Sequence, residues 1–378
     1  KHTILSVHLK TSVWLMYCRT RLRFISTVSQ LRFYHNNIKT MQFVELSSTN
    51  DKMPTLGLGT WQAPADVTEN TVFKALEVGY RHIDTAYNYN NEEAVGEGIA
   101  KWIRQGNGVR EDIFITTKLP HIGNRASDVK EFLSKQLERL KLSYVDLYLI
   151  HVPFGFVCNK ETMTPEVTKT GDYVLDMETD HVQTWKAMEQ CQTEGLTRNI
   201  GLSNFNERQI AKIIAQAEQA PQVLQVELHA NFQQVPLRKF CEEHGIVVTA
   251  YAPLGSPGTK THYVNKYNYN AEAFPDLLGN PIVTSIADRY GRSPAQILLH
   301  FLVKNNIVVI PKSTSEKRLK ENFNIFDFDL AEGDIDKLKS LDKGEKGRIF
   351  DFLVWKGVEK HPEYPFEQRE DESLPIIE

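Results

Sequence analysis

Residues 79–89 read GYRHIDTAYNY, and residues 144–153 read YVDLYLIHVP. Each stretch begins with an apolar run that suits a buried strand and then turns polar. The first run ends at Asp84, with Tyr89 five residues on, and the second run ends at His151. A helical pattern follows each run, so the chain alternates between strands and helices. Because parallel strands bring their carboxyl ends to one edge of a sheet, these polar side chains are expected to lie near one another.

The same alternation continues from about residue 56 to residue 310, with eight apolar runs that suit buried strands. This pattern predicts an α/β fold, a (β/α)8 TIM barrel, preceded by a short β-hairpin at 42–55. Two long loops, 152–180 and 253–280, follow strands and therefore lie on the C-terminal face, where such barrels keep their chemistry. The tail, 344–378, is apolar enough to fold back over the barrel.

The composition describes a soluble globular protein, with 41% hydrophobic and 24% charged residues among 378. A net charge of −4 does not favour nucleic acid or an anionic membrane, and no apolar run approaches the roughly 20 residues that span a bilayer. The four scattered cysteines form no metal-like pair and favour a reducing compartment. We therefore expect a cytoplasmic monomer that binds no metal, membrane or nucleic acid.

Residues 1–40 differ from the rest, with seven Lys and Arg and no acidic residue. Such a basic leader is typical of a mitochondrial transit peptide. The alternative is that Met41 is the true start and that the leader is upstream sequence, which the non-methionine Lys1 favours. We expect 1–40 to be poorly ordered or absent from the mature protein, and 41–378 to form the barrel domain.

A third strand-like run, IFITTK, ends at Lys118. We call the four residues Asp84, Tyr89, Lys118 and His151 the tetrad. A cation about 4 Å from a phenol favours the phenolate by roughly 4 kcal/mol, about three pKa units before burial opposes it. Lys118 would supply that cation, with Asp84 as its counter-charge, and a neutral His151 would donate to a carbonyl oxygen. The set suits a reaction in which an oxyanion is protonated as it forms.

Each member of the tetrad also has a structural interpretation. Asp84 could cap the next helix, Tyr89 could be a loop aromatic, and Lys118 could be solvated at the end of its strand. His151 could be satisfied by structural hydrogen bonds. Four such coincidences at successive strand ends are improbable, so the joint pattern favours an enzyme.

Four stretches of the sequence carry a resemblance to a known family. Residues 79–100, the run LIHVP at 149–153 with GLSNF at 201–205, and IPKST at 310–314 resemble the three signature regions of the aldo-keto reductases. The resemblance implies a TIM barrel that reduces aldehydes or ketones with NADPH. It also implies that Tyr89 is the general acid, that Lys118 and Asp84 tune its pKa, and that His151 orients the carbonyl.

The resemblance assigns cofactor contacts as well. The residues implied are Gly59, Thr60, Trp61, Asp84, Ser203, Asn204, Gln225 and Tyr251 at the nicotinamide end, Leu254 and Ser256 at the pyrophosphate, and Lys312, Ser313, Thr314, Arg318, Glu321 and Asn322 at the adenosine end. The cations and hydroxyls among the last group independently suit a 2′-phosphate at a helix start near residue 315. No Gly-x-Gly-x-x-Gly motif follows a strand, which disfavours a Rossmann-type site.

Substrate identity is the least determined feature. The implied pocket residues are Trp61, Tyr89, His151, Val152 and Phe350, but Val152 and Pro120-His121 stand where some family members have tryptophan. The aromatic residues Phe154, Phe156, Phe352 and Trp355 indicate an apolar wall, and loop 257–280 adds Tyr263, Tyr267 and Tyr269. A small-molecule carbonyl substrate is expected. The alternatives are a reductase of ketosteroids or other bulky ketones, or a non-catalytic NADPH-binding regulatory protein.

Overall fold

The computed structural model describes residues 41–267 and 274–366. The chain divides into two compact units, residues 1–42 and 43–378, and the second of these forms the barrel. The expected basic leader, residues 1–40, lies outside the described residues. In the described part, no helix combines the length and the apolar character that crossing a membrane requires.

Eight parallel strands form one sheet whose order follows the chain, as expected for a (β/α)8 barrel. The sheet closes on itself, because the Val309 amide donates to the Thr55 carbonyl at 2.9 Å and the Gly57 amide donates to the Val309 carbonyl at 2.8 Å. The strands are β1 (Phe43–Glu45), β2 (Lys52–Pro54), β3 (Leu58–Gly59), β4 (His82–Asp84), β5 (Phe114–Leu119), β6 (Val145–Ile150), β7 (Cys158–Asn159), β8 (Thr164–Pro165), β9 (Thr197–Ser203), β10 (Val223–Glu227), β11 (Val247–Tyr251) and β12 (Val308–Val309). The barrel strands are β3–β6 and β9–β12.

Helices cover the barrel, and several begin where the sequence supplies a cap. Ser293 accepts from the Gln296 amide while the Gln296 side chain accepts from the Ser293 amide, and Pro294 opens the helix between them. The helices are α1 (Ala65–Val78), α2 (Glu92–Arg104), α3 (Ala126–Leu140), α4 (His181–Thr193), α5 (Glu207–Ile214), α6 (Val235–Glu243), α7 (Lys260–Tyr267), α8 (Pro281–Tyr290), α9 (Pro294–Lys304), α10 (Glu316–Phe323) and α11 (Glu332–Lys339).

The N-terminal hairpin β1–β2 lies against one end of the barrel, as the sequence predicts. Leu46 and Met53 pack with Phe114 and Val223, which are the first residues of β5 and β10. The hairpin therefore covers the amino ends of the strands. The carboxyl ends, where the tetrad residues were predicted, are at the opposite face.

Both long loops contain regular structure that the sequence did not reveal. The short hairpin β7–β8 lies within the loop 152–180, and helix α7 lies within the loop 253–280. In the second loop, residues 268–273, which include Tyr269, are outside the described residues. The tail folds back as expected. Its Phe350 ring lies edge-on to Trp61, with centroids 5.6 Å apart, so tail and barrel share one apolar cluster.

Candidate active site

Neighbouring parallel strands position the tetrad. Asp84 is the last residue of β4, Lys118 is the penultimate residue of β5, and His151 directly follows β6. Tyr89 ends a single 3-10 turn, Tyr87–Tyr89, that follows β4. Because β4, β5 and β6 pair in parallel, these groups converge at one end of the barrel.

A buried ion pair forms the base of the site. The Lys118 ammonium lies 2.6 Å from an Asp84 carboxylate oxygen, and the two side chains are 0% and 2% exposed. It also donates to the Thr85 carbonyl at 2.9 Å and lies 3.2 Å from the Tyr89 hydroxyl. An ammonium has three N–H bonds, so these three oxygens satisfy it completely. The second Asp84 oxygen accepts from the Gln225 amide at 2.8 Å.

The pair keeps the lysine charged. Burial alone would lower the pKa of Lys118, but the Asp84 carboxylate and the Tyr89 phenol outweigh it, and the pKa is raised above 10.5. Asp84 therefore serves as the counter-charge that the sequence predicts. The capping alternative for Asp84 is wrong, because helix α2 begins after Asn91 without a side-chain cap.

The pKa of Tyr89 differs from the sequence-based expectation. Lys118 does lower the pKa of the phenol, but burial raises it by more, and the pKa of Tyr89 lies above its ordinary value of 10. The sequence argument sized the charge effect before burial opposes it, and burial is the larger effect. Tyr89 is thus protonated at neutral pH and has the Lys118 cation beside its oxygen.

His151 is a neutral donor. Burial, His121 and Lys118 hold its pKa well below 6.5, so the ring carries one proton near neutrality. Its ring lies edge-on to that of Tyr89, with centroids 5.8 Å apart. The phenol and the imidazole therefore approach a common region, where one carbonyl oxygen could receive a hydrogen bond from each.

Residues predicted for the nicotinamide end surround the tetrad. The Tyr251 hydroxyl donates to Asn204 at 2.8 Å, and the Asn204 amide donates to Ser203 and to the His151 carbonyl. Thr60 donates to the Asp84 carbonyl at 2.9 Å. These bonds join the ends of β6, β9 and β11 to one another, and Thr60 joins the end of β3 to the main chain of Asp84.

Gly59 lies where the barrel closes. A Cβ at this position would come within 2.6 Å of the Ile310 carbonyl oxygen, so only glycine allows the two chain segments to approach. Gly59 also bridges to Lys312. A residue predicted to bind the nicotinamide end, Gly59, is therefore adjacent to one predicted to bind the adenosine end, Lys312.

The predicted phosphate-binding residues leave adjacent strands at the same face. Leu254 and Ser256 lie in the loop after β11, and Lys312 follows β12. Partial burial and the neighbouring Arg318 lower the pKa of Lys312, as expected for two cations held close together. The remaining members of the predicted set, all located between β12 and the end of α10, are Ser313, Thr314, Glu321 and Asn322. Two clustered cations with hydroxyl neighbours fit a phosphate monoester, so the donor set suits NADP(H).

Two groups of aromatic side chains, which we call the aromatic walls, lie near the tetrad, one reached through Tyr251 and the other through His121, whose ring stacks on that of His151. One contains Trp61, Tyr251, Tyr263 and Phe350. The other contains His121, Phe154, Phe156, Phe352 and Trp355. Val152, which was expected in the pocket, is only 1% exposed, so it offers little surface to a ligand.

Sequence reasoning missed an anchoring residue, Glu227 at the end of β10. Its buried carboxylate accepts from the amides of Ile349 and Phe350 at 2.7 and 2.9 Å and pairs with His229 at 3.0 Å. The only available signal was its position two residues after Gln225 at a strand end. Glu227 holds the tail segment that contains Phe350, whose ring packs edge-on against Trp61.

Comparison with known proteins identifies a family and several relatives that this chain resembles. Residues 55–343 match the model of the Aldo/keto reductase family. The chain is 41% identical over 323 residues to aldo-keto reductase family 1 member A1 of Xenopus tropicalis, covering 84% of this chain and 95% of that one. It is 40% identical over 328 residues to family 1 member D1 of Mus musculus, covering 85% and 96%. The structure of the aldose reductase from Schistosoma japonicum superposes with a TM-score of 0.77 at 38% identity, covering 87% and 99%.

Proposed function

This chain belongs to the aldo/keto reductase family of NADP-dependent oxidoreductases, and from that premise we propose that it reduces aldehydes or ketones to alcohols with Tyr89 as the proton donor. The observation that carries the proposal is the Lys118 ammonium, which lies between the Asp84 carboxylate at 2.6 Å and the Tyr89 hydroxyl at 3.2 Å. A protonated phenol beside a fixed cation is suited to giving its proton to a developing alkoxide.

The tetrad residues have separate roles in this proposal. His151, as a neutral N–H donor, orients the carbonyl oxygen and polarises the C=O bond. Tyr89 transfers its proton to that oxygen as negative charge builds on it. Lys118 then stabilises the phenolate, and Asp84 keeps Lys118 charged throughout.

The cofactor would lie along the predicted contact residues, with Tyr251 and Asn204 at the nicotinamide and Lys312 and Arg318 at the 2′-phosphate. When bound, the reduced nicotinamide supplies the hydride that the carbonyl carbon accepts. The Arg318 charge is felt at Lys312, whose pKa is lowered by burial and by that charge, which supports NADPH over NADH because only the former carries a phosphate there.

The function is tested by following the absorbance of reduced cofactor with a panel of carbonyl compounds. The panel contains both aldehydes and ketones. We expect the protein to consume NADPH with these compounds, and to consume NADH more slowly at equal concentration. A purified, folded protein that binds NADPH but consumes none with any carbonyl would instead be the non-catalytic binding protein.

The aromatic walls favour a second candidate, a reductase of ketosteroids or other bulky, flat ketones. Trp61 and Tyr251, which are only partly buried, contact Phe350 with ring centroids 5.6 and 5.8 Å apart, and such rings suit a planar apolar substrate. Turnover of a steroid ketone measured beside that of a short aldehyde separates the two candidates.

The expected pH dependence of reduction follows from the shifted pKa values of Tyr89 and His151. Tyr89 must be protonated to act as an acid, and burial raises its pKa above 10, so the alkaline loss of rate should have its midpoint above pH 10. His151 is neutral from well below pH 6.5, so it causes no acidic loss near neutrality. We expect kcat/KM for the carbonyl to be level from about pH 7 to 9. Circular dichroism at each pH must show folded protein, and a midpoint below pH 9 would contradict the prediction.

A further inference from the structure

The loop that carries Tyr89 is closed at its base by two side chains. The loop begins at Thr85, directly after β4, forms the 3-10 turn Tyr87–Tyr89, and reaches the start of helix α2 at Asn91. The Thr85 hydroxyl donates to the side-chain oxygen of Asn91 at 3.2 Å. The two residues are 0% and 2% exposed, so a buried hydrogen bond joins the two ends of the loop.

Asn91 occupies the capping position of helix α2 without capping it. Asparagine is among the preferred residues there, because its side-chain oxygen can accept from an amide of the first turn. In α2 the side chain makes no such bond, and its oxygen accepts from Thr85 instead. Its amide nitrogen donates to the Thr60 carbonyl at 2.9 Å and to the Ala63 carbonyl at 3.1 Å. The side chain thus forgoes a bond that would stabilise the helix, and it links the Tyr89 loop to the segment that follows β3.

The base of this loop is also where the cation of the tetrad is held. The Thr85 carbonyl accepts from the Lys118 ammonium at 2.9 Å, and the same ammonium lies 3.2 Å from the Tyr89 hydroxyl. The cation is therefore bound at one end of the loop, while the phenol lies within the loop. A change at the closure between Thr85 and Asn91 would alter the distance between the two groups.

We propose that Asn91 is a positioning residue for proton transfer, which closes the loop through Thr85 and so keeps the Tyr89 hydroxyl beside the Lys118 ammonium. The inference rests on the proposed function and deepens it. Asn91 acts through the loop and makes no contact with the hydroxyl that gives up its proton. Because a misplacement of about 1 Å can cost about a hundredfold in rate, losing the closure should slow the step in which Tyr89 protonates the carbonyl oxygen.

The test is a double-mutant cycle with Tyr89→Phe. The quantity measured is the rate constant of a single turnover, in which NADPH below the enzyme concentration reacts with a saturating amount of the carbonyl compound that the wild type reduces fastest. Asn91→Ala and Thr85→Val should each lower this rate constant about tenfold to a hundredfold. In the Tyr89→Phe background no phenol remains to be positioned, so the same changes should lower the rate constant less than about twofold.

Thr85→Ser and Asn280→Ala are the matched controls. Serine keeps the hydroxyl that donates to Asn91, so it should restore most of the rate that Thr85→Val loses. Asn280 does cap its helix, α8, where its side chain accepts from the Ile282 amide at 2.9 Å. Asn280→Ala should therefore lower the midpoint of denaturant unfolding and leave the single-turnover rate constant unchanged in both backgrounds.

The outcomes separate the two claims. If Asn91→Ala and Thr85→Val lower the rate constant by the same factor in both backgrounds, or do not lower it at all, the inference is wrong while the proposed function stands. If Tyr89→Phe alone reacts as fast as wild type, or if wild type consumes no NADPH with any carbonyl compound, the proposed function itself fails. Should Asn91→Ala not fold, Thr85→Val decides by the same comparison, because it replaces one hydroxyl by a methyl group.

Discussion

Tyr89→Phe is expected to lower kcat about a thousandfold while NADPH binds with unchanged affinity. Phenylalanine retains the ring that lies 4.9 Å from the Lys118 ammonium and edge-on to His151. The substitution removes only the hydroxyl, and with it the proton that the carbonyl oxygen must receive. The loss should therefore appear in kcat, while the Lys118 N–H that loses its acceptor lowers the free energy of unfolding by about 1–3 kcal/mol.

Tyr87→Phe provides the control for this prediction. Tyr87 lies in the same 3-10 turn but packs against Phe132, at 5.1 Å between ring centroids, and is buried in the helix layer. Removing its hydroxyl should leave turnover near that of wild type. If Tyr89→Phe also retained near-wild-type turnover, another group would be the acid.

Lys118→Met should cause the largest combined loss, in stability as well as in rate. It leaves the Asp84 carboxylate buried without its counter-charge, which costs about 3–5 kcal/mol of unfolding free energy. Asp84 can escape part of this cost by taking up a proton. Burial already raises the pKa of Asp84 beside Lys118, and without the ammonium it would lie still further above the unfolded value near 4. The destabilisation should therefore be small in acid and grow as pH rises above that value.

The double variant Lys118→Met/Asp84→Asn separates the two effects. A neutral amide removes the unpaired charge, so we expect denaturant unfolding to show most of the lost stability restored. Turnover should stay low, because no cation remains to stabilise the Tyr89 phenolate. A single Lys118→Met variant as stable as wild type would show that the ion pair contributes little to the fold.

The barrel and the tetrad could be predicted from the sequence for the same reason. Apolar runs of strand length end at Asp84, Lys118 and His151, and parallel pairing then brings those ends together whatever the details of the loops. The N-terminal hairpin likewise falls within its predicted range of 42–55, because β1 begins at Phe43 and β2 ends at Pro54.

Other features depend on contacts between residues far apart in sequence. The raised pKa of Tyr89 arises from burial, which a strand pattern does not report. Glu227 reads as an ordinary strand-end acid until the amides of Ile349 and Phe350 are seen to meet it. The stacking of His121 on His151 likewise requires the backbone path after β5. Helix α11 was missed because its eight residues are mostly charged.

The anchoring of the tail at Glu227 has an evolutionary consequence. The carboxylate binds main-chain amides, which any amino-acid sequence presents, so it secures the tail without constraining its side chains. Mutation can therefore alter Phe350 and its neighbours, and so remodel what the protein accepts, while the proton-transfer apparatus in the strands is inherited intact. Grafting the tail of a relative onto this barrel should exchange selectivity without abolishing turnover.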